Sequence, residues 1–296
     1  MPSSMAKIGL WVEGSAIDRW DKWVSYHLAF SWSLGLAELP LAVPGTWFGT
    51  TTTSLGSAPL LLALAADHAN SRLVVAAVVT FIVALVVFGL VVCGMADRNL
   101  LWWKPPVVVA YSVALARWLS PDRGLQVIAF YISAWGYGVL LGTLLKTVYA
   151  RRRPCVSMEG CEKISDMRLL PLHEHLCMGY TAIESFPSGD ACGGGVASAT
   201  LYLVTGGASM LVWLPMVLSA YGRMYIWAHH FLDVAVGAAL GAGTTFALNA
   251  ILPWEVFTLP MLVACVLIFF LVRKLVVIQL RPELPKDLTG GTHYYG

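Results

Sequence analysis

His229 and Asp233 stand four residues apart, and Arg223 precedes the histidine by six. A carboxylate beside an imidazole can accept from one ring nitrogen and leave the other as a nucleophile or base. The spacing predicts that both side chains share one helical face. Upstream, Lys146 is followed seven residues later by Arg153 and then Pro154, and Pro187-Ser188-Gly189-Asp190 opens an apolar run. Arginine's planar fork matches a phosphate and lysine adds a point charge. Ser188 suits the cap of a new helix, whose free N–H groups bind anions, and Gly189 permits close backbone approach. Together these residues suit an anion with many oxygens held beside an imidazole. Each piece has a plainer reading: Arg151–Arg153 as a basic stretch near lipid headgroups, Pro-Ser-Gly as a turn, and the His–Asp pair as an ordinary helix-surface pair. Their joint occurrence, in order, is far more specific than any one of them. His230 reads as a structural or interfacial neighbour. His173 and His175 form a loop H-E-H without an evident third ligand, so no metal site and no cofactor are expected.

The elements that must position these groups are apolar. Of 296 residues, 58% are hydrophobic and only 12% charged, where a soluble domain carries about a quarter charged. The mean hydropathy is +0.71. An all-α, multi-pass transmembrane helical bundle is the expected class, and the net charge of +2 gives no reason to expect a nucleic-acid partner. Spans of about 20 apolar residues are expected at 73–93, 125–146, 229–252 and 257–280. Shorter pieces are expected at 106–119, at 190–206, and at 209–226 with Pro215 as a tolerated kink. Residues 1–66 read as an interfacial segment with room for one extra span, broken by Pro40, Pro44, Gly45 and the run TTTTS. Trp11, Trp20 and Trp23 suit the headgroup zone. Residues 73–252 form a six-helix core, 257–280 an additional span, and 281–296 a polar tail. The loop 147–189 concentrates Arg151, Arg152, Arg153, Lys163, Arg168, His173 and His175, the pattern of an extramembrane site. Connectivity puts Lys146, Arg153, Ser188, Gly189, Arg223 and His229 on one side of the membrane. Charges gathered at one edge argue against a transporter, which would spread polar groups through its spans. Cys155, Cys161 and Cys177 share the loop, and two could pair in an oxidising compartment. Cys93, Cys192 and Cys265 lie in apolar runs.

The order of these motifs resembles the type-2 phosphatidic acid phosphatase superfamily of lipid phosphate phosphatases, related in fold to vanadium-dependent haloperoxidases. That family's signature is K-x6-R-P, then P-S-G-H, then S-R-x5-H-x3-D. Here Lys146–Pro154 matches the first part and Arg223–Asp233 the third, with Gly222 in the serine position. The resemblance implies a six-helix phosphatase core and a metal-independent lipid phosphate or diphosphate phosphatase. His229 would attack phosphorus to form a phosphohistidine, oriented by Asp233. Lys146, Arg153, Ser188, Gly189 and Arg223 would hold the phosphoryl oxygens. It also implies an endomembrane or plasma-membrane protein with a lumenal or external site and a lipid phosphate or polyprenyl diphosphate as substrate. A lipid phosphotransferase shares most of these residues. One position departs: Asp190 stands where the family has a histidine acting as general acid. An ionised carboxylate cannot donate a proton and repels phosphate. Four accounts stay open. Asp190 pairs with an arginine until substrate displaces or protonates it. A loop residue such as His173 or His175 supplies the proton. A diphosphate leaving group needs little acid help. Or the protein binds lipid phosphate without turnover.

Overall fold

The computed structural model describes residues 11–28, 45, 47–48, 51–92, 104–120, 122–149, 151–154 and 184–272. Their regular elements are helices: α1 (Ala16–Leu28), α2 (Thr51–Ala66), α3 (Ser71–Val92), α4 (Lys104–Leu119), α5 (Arg123–Tyr149), α6 (Gly189–Thr205), α7 (Leu214–Tyr225), α8 (Phe231–Ile251) and α9 (Leu259–Val272). Among the described residues the extended structure is a single β-bridge, Arg152 to Glu184. The all-α expectation is met. Cys93, the loop residues Cys155, Cys161, Cys177, Lys163, Arg168, His173 and His175, and everything after residue 272 lie outside the described residues.

Three boundaries differ from the sequence reading. The threonine run does not break the chain but opens α2. Pro215 is not a mid-helix kink. It sits in the first turn of α7, where its missing N–H costs nothing, and a 3-10 turn at Met210–Trp213 precedes it. The last core helix begins at Phe231, so His229 and His230 lie in the connection before it.

α5 and α8 are long and apolar enough to cross a membrane by length and composition. Val75, Val79 and Val83 of α3 and Leu267 and Phe270 of α9 point outward, as is compatible with a membrane protein. The buried core joins α2, α3, α5, α6 and the chain before α9 through Leu60, Leu73, Ile128, Phe130, Val196 and Phe257. Phe130 meets Phe257 edge-on at 5.3 Å.

α6 and α8 pack most extensively of all, and small residues make this possible. A Cβ on Gly241 would lie 2.0 Å from the carbonyl oxygen of Cys192, and one on Gly195 would lie 2.3 Å from that of Ala238. With backbone against backbone, the start of α6 is held beside the start of α8: the Ser188 N–H donates to the Asp233 carbonyl at 2.8 Å. α7 is tied to α6 by Ser219 Oγ donating to the Asp190 carbonyl (2.8 Å) and by the Met216 N–H donating to Ser198 Oγ (2.9 Å).

Candidate active site

The three motif segments converge at these helix ends. After α5 the chain runs extended, so successive side chains alternate: Arg151 and Arg153 are buried while Arg152 is exposed. The segment is pinned beside the entry to α6 by the Ser185 N–H donating to the Arg151 carbonyl at 2.7 Å. Lys146 Nζ donates to the Glu184 carbonyl at 2.9 Å. The interfacial reading of the three arginines therefore holds at most for Arg152.

His229 is buried, and its Nε2 lies 3.0 Å from Arg153 Nη1. A guanidinium has only donors, so Nε2 accepts, and the proton of the neutral ring sits on Nδ1. Burial first, and the Arg153 guanidinium second, hold His229 well below the ordinary imidazole range; Arg223 adds to this and Asp233 opposes it. The ring is thus neutral, with its lone pair aimed among cations. Nδ1 faces Asp233 Oδ2 at 3.7 Å, beyond hydrogen-bond length. The two do not share a helical face as the spacing predicted. Trp227, at a left-handed φ of 57°, turns the chain out of α7, and His229 ends up before α8 while Asp233 is in its first turn. Asp233 Oδ2 accepts the His230 N–H at 2.9 Å.

Arg223 is wholly buried, and its Nε lies 2.8 Å from Asp190 Oδ2, itself buried. Ser188 caps α6, its hydroxyl accepting the Ala191 N–H at 3.3 Å. A Cβ added to Gly189 would meet nothing within 4 Å. The expected residues Lys146, Arg153, Ser188, Gly189, Asp190, Arg223, His229 and Asp233 thus surround one point where α5, α6, α7 and α8 end or begin.

Sequence reasoning missed the fourth wall. Arg151 donates to Asp21 Oδ2 at 2.5 Å and Asp233 Oδ1 at 2.8 Å, and reaches Asp18 Oδ1 at 3.3 Å. Trp11 stacks on the same guanidinium, 4.0 Å from ring centroid to carbon. Asp18, Asp21 and Ser25 recur at helical spacing opposite the exposed Ile17, Trp20 and Trp23. That two-faced pattern was the available signal, inverted because its polar side is the buried one.

Residues 127–257 match the family model of the PAP2 superfamily. No curated protein and no solved structure gives a significant match to the chain. The PAP2 region holds every motif residue named above and leaves out α1. The match supports a phosphatase-type activity. Chemically, the site offers a neutral imidazole whose Nε2 lone pair meets the Arg153 guanidinium, a donor able to receive an oxyanion instead.

Proposed function

We propose that the protein is a multi-pass membrane phosphatase that removes phosphate from a lipid phosphate or diphosphate through a phosphohistidine, without a metal. The observation that carries this reading is the 3.0 Å contact that leaves the His229 Nε2 lone pair directed at Arg153. A phosphoryl group held by Arg153, Arg223, Lys146 and the N–H groups at the start of α6 would meet that lone pair. The Nε2–P bond forms as the bond from that phosphorus to its ester or bridging oxygen breaks; a monoester releases the lipid alcohol, which takes its proton from solvent, and a diphosphate releases the lipid monophosphate, while Asp233 stabilises the charge that develops on the ring. Water then attacks phosphorus, releases inorganic phosphate and restores the imidazole. Fixed cations supply the electrostatic stabilisation that such a transfer requires.

Asp190 fits the first of the four accounts. Its 2.8 Å pair with Arg223 supports a carboxylate that holds the arginine until the substrate's oxygens replace it. A diphosphate suits such a site, because its leaving phosphate has a second pKa of about 6. An alcohol lies near the ~15.7 of water and depends on an acid. On this reading the six helices of residues 73–252 form the core, with the site at the lumenal or external leaflet.

The test is phosphate release in chelator from phosphatidate, a sphingoid-base phosphate and a polyprenyl diphosphate. Turnover of at least one, lost in His229→Ala, is expected. Wild-type protein inert on all three would leave a lipid-phosphate-binding protein without turnover.

A further inference from the structure

Two side chains of α1, Asp21 and Ser25, reach the start of α8 from more than 200 residues away in the chain. Asp21 Oδ1 accepts the Leu232 N–H at 2.8 Å, and Ser25 Oγ accepts the Phe231 N–H at 2.7 Å. These are two of the donors that a helix start leaves without a partner in its own helix. They belong to the turn that carries His229 and Asp233. The other oxygen of Asp21 receives Arg151, and the same Arg151 Nη1 donates to Asp233 Oδ1. With Oδ1 held by Arg151 and Oδ2 by the His230 N–H, the Asp233 carboxylate has one orientation, and that orientation turns Oδ2 toward His229. α1 lies outside the PAP2 region, yet Asp18, Asp21 and Ser25 are all buried against it. Burying two aspartates on a helix whose Trp20 and Trp23 stay exposed is costly unless each is paired.

We propose that α1 is a positioning element for the nucleophile: Asp21, Ser25 and Arg151 set the turn 229–233 and aim Asp233 at His229. This rests on the phosphohistidine reading, and the experiments separate the two. Asp21 and Arg151 touch no reacting atom, so their loss acts on the imidazole and leaves the cations that hold phosphate in place.

In the purified full chain, Arg151→Gln is expected to lower kcat about 10- to 100-fold, the size of loss that outer hydrogen-bond partners of metal-bound histidines show. KM and the midpoint for inorganic phosphate, read by thermal shift, should stay within about twofold of wild type. Arg151→Lys should recover part of kcat, because an ammonium still reaches one carboxylate. Equal loss of kcat and of phosphate binding, or a Lys variant no better than Gln, would overturn the assignment. Hydrogen exchange gives a readout independent of turnover. In Asp21→Ala and Ser25→Ala, the amides of Phe231 and Leu232 should exchange at least about tenfold faster, while those of α5 remain unchanged. Unchanged exchange at 231–232 would sink the proposal even if the protein proves an active phosphatase. If the wild type is inert but exchange rises as stated, the catalytic reading fails while the strap itself stands.

Discussion

Asp190→Asn separates two consequences of one ion pair. The carboxylate lies 2.8 Å from Arg223 Nε, with both side chains nearly or fully buried. Breaking a buried pair by removing one partner costs about 3–5 kcal/mol. The variant should therefore melt well below wild type. Its phosphate affinity should move the other way. A phosphate oxygen accepting from Arg223 would sit ~5 Å from Asp190, and one unit of repulsion there amounts to about 3 kcal/mol at an effective dielectric of 20. Relaxation reduces that figure, so a gain of at least about tenfold in phosphate affinity is expected, equivalent to about 1.4 kcal/mol. Thermal-shift titration with inorganic phosphate reads both effects at once, because a ligand bound only by the folded state raises the melting point by mass action. In wild type, pyrophosphate should bind more tightly than phosphate, and the gap should widen in Asp190→Asn, because the carboxylate repels the more highly charged anion more strongly. A variant that melts lower and binds phosphate no better would refute the idea that Asp190 competes with substrate for Arg223. Asp190→His belongs in the same series: if a missing acid limits monoesters, their turnover should rise relative to diphosphates.

Other outcomes follow from the same geometry. Gly241→Ala puts a methyl 2.0 Å from the Cys192 carbonyl; forcing α6 from α8 should cost about 1–3 kcal/mol, read as a lower melting point together with lost phosphate binding. Gly189→Ala meets no atom within 4 Å, so its melting point should match wild type, and any rise in KM would report the approach of a ligand to that backbone. His229 is held well below its ordinary value of 6.5 by burial and Arg153. Between its folded value and 6.5 the unfolded chain binds more protons, so stability should fall as pH drops below about 6.5. A melting-point series from pH 8 to 5.5, set against His229→Gln, should show the smaller acid loss in the variant.

The helices and the motif residues were legible because their signals are local. Long apolar runs mark α3, α5 and α8, and fixed spacings mark Lys146–Arg153 and Arg223–His229–Asp233. The glycines that seat α6 on α8 gave no such signal, since their role depends on which backbone comes opposite. α1 was hidden for a different reason. Hydrophobicity reasoning assumes that the apolar face is buried, and here Asp18, Asp21 and Ser25 face inward while Ile17, Trp20 and Trp23 face out. Arg151 was obscured by its neighbours. In Arg151-Arg152-Arg153 only an extended backbone distinguishes the two inward side chains from the outward one, and that conformation is set by the bridge from Arg152 to Glu184.

The carboxylate of Asp190 and the carboxylates on α1 solve one physical problem in two ways. Four cations, Lys146, Arg151, Arg153 and Arg223, crowd a space from which water is largely excluded, and unpaired they would repel one another and resist burial. Arg151 is satisfied permanently: three aspartates and the face of Trp11 enclose it, and no incoming anion could match that set. Arg223 is held through its Nε by the carboxylate of Asp190, a contact that a phosphoryl oxygen can replace. Exchanging Asp190 for a monoanion would return about the same Coulomb energy. A group with two or more charges returns more, so the exchange itself favours phosphate and diphosphate esters over singly charged headgroups. A histidine at 190 would supply an acid but no counter-charge for Arg223, whereas an aspartate supplies the counter-charge and, on the diphosphate reading, would leave proton donation to a leaving group that hardly needs it.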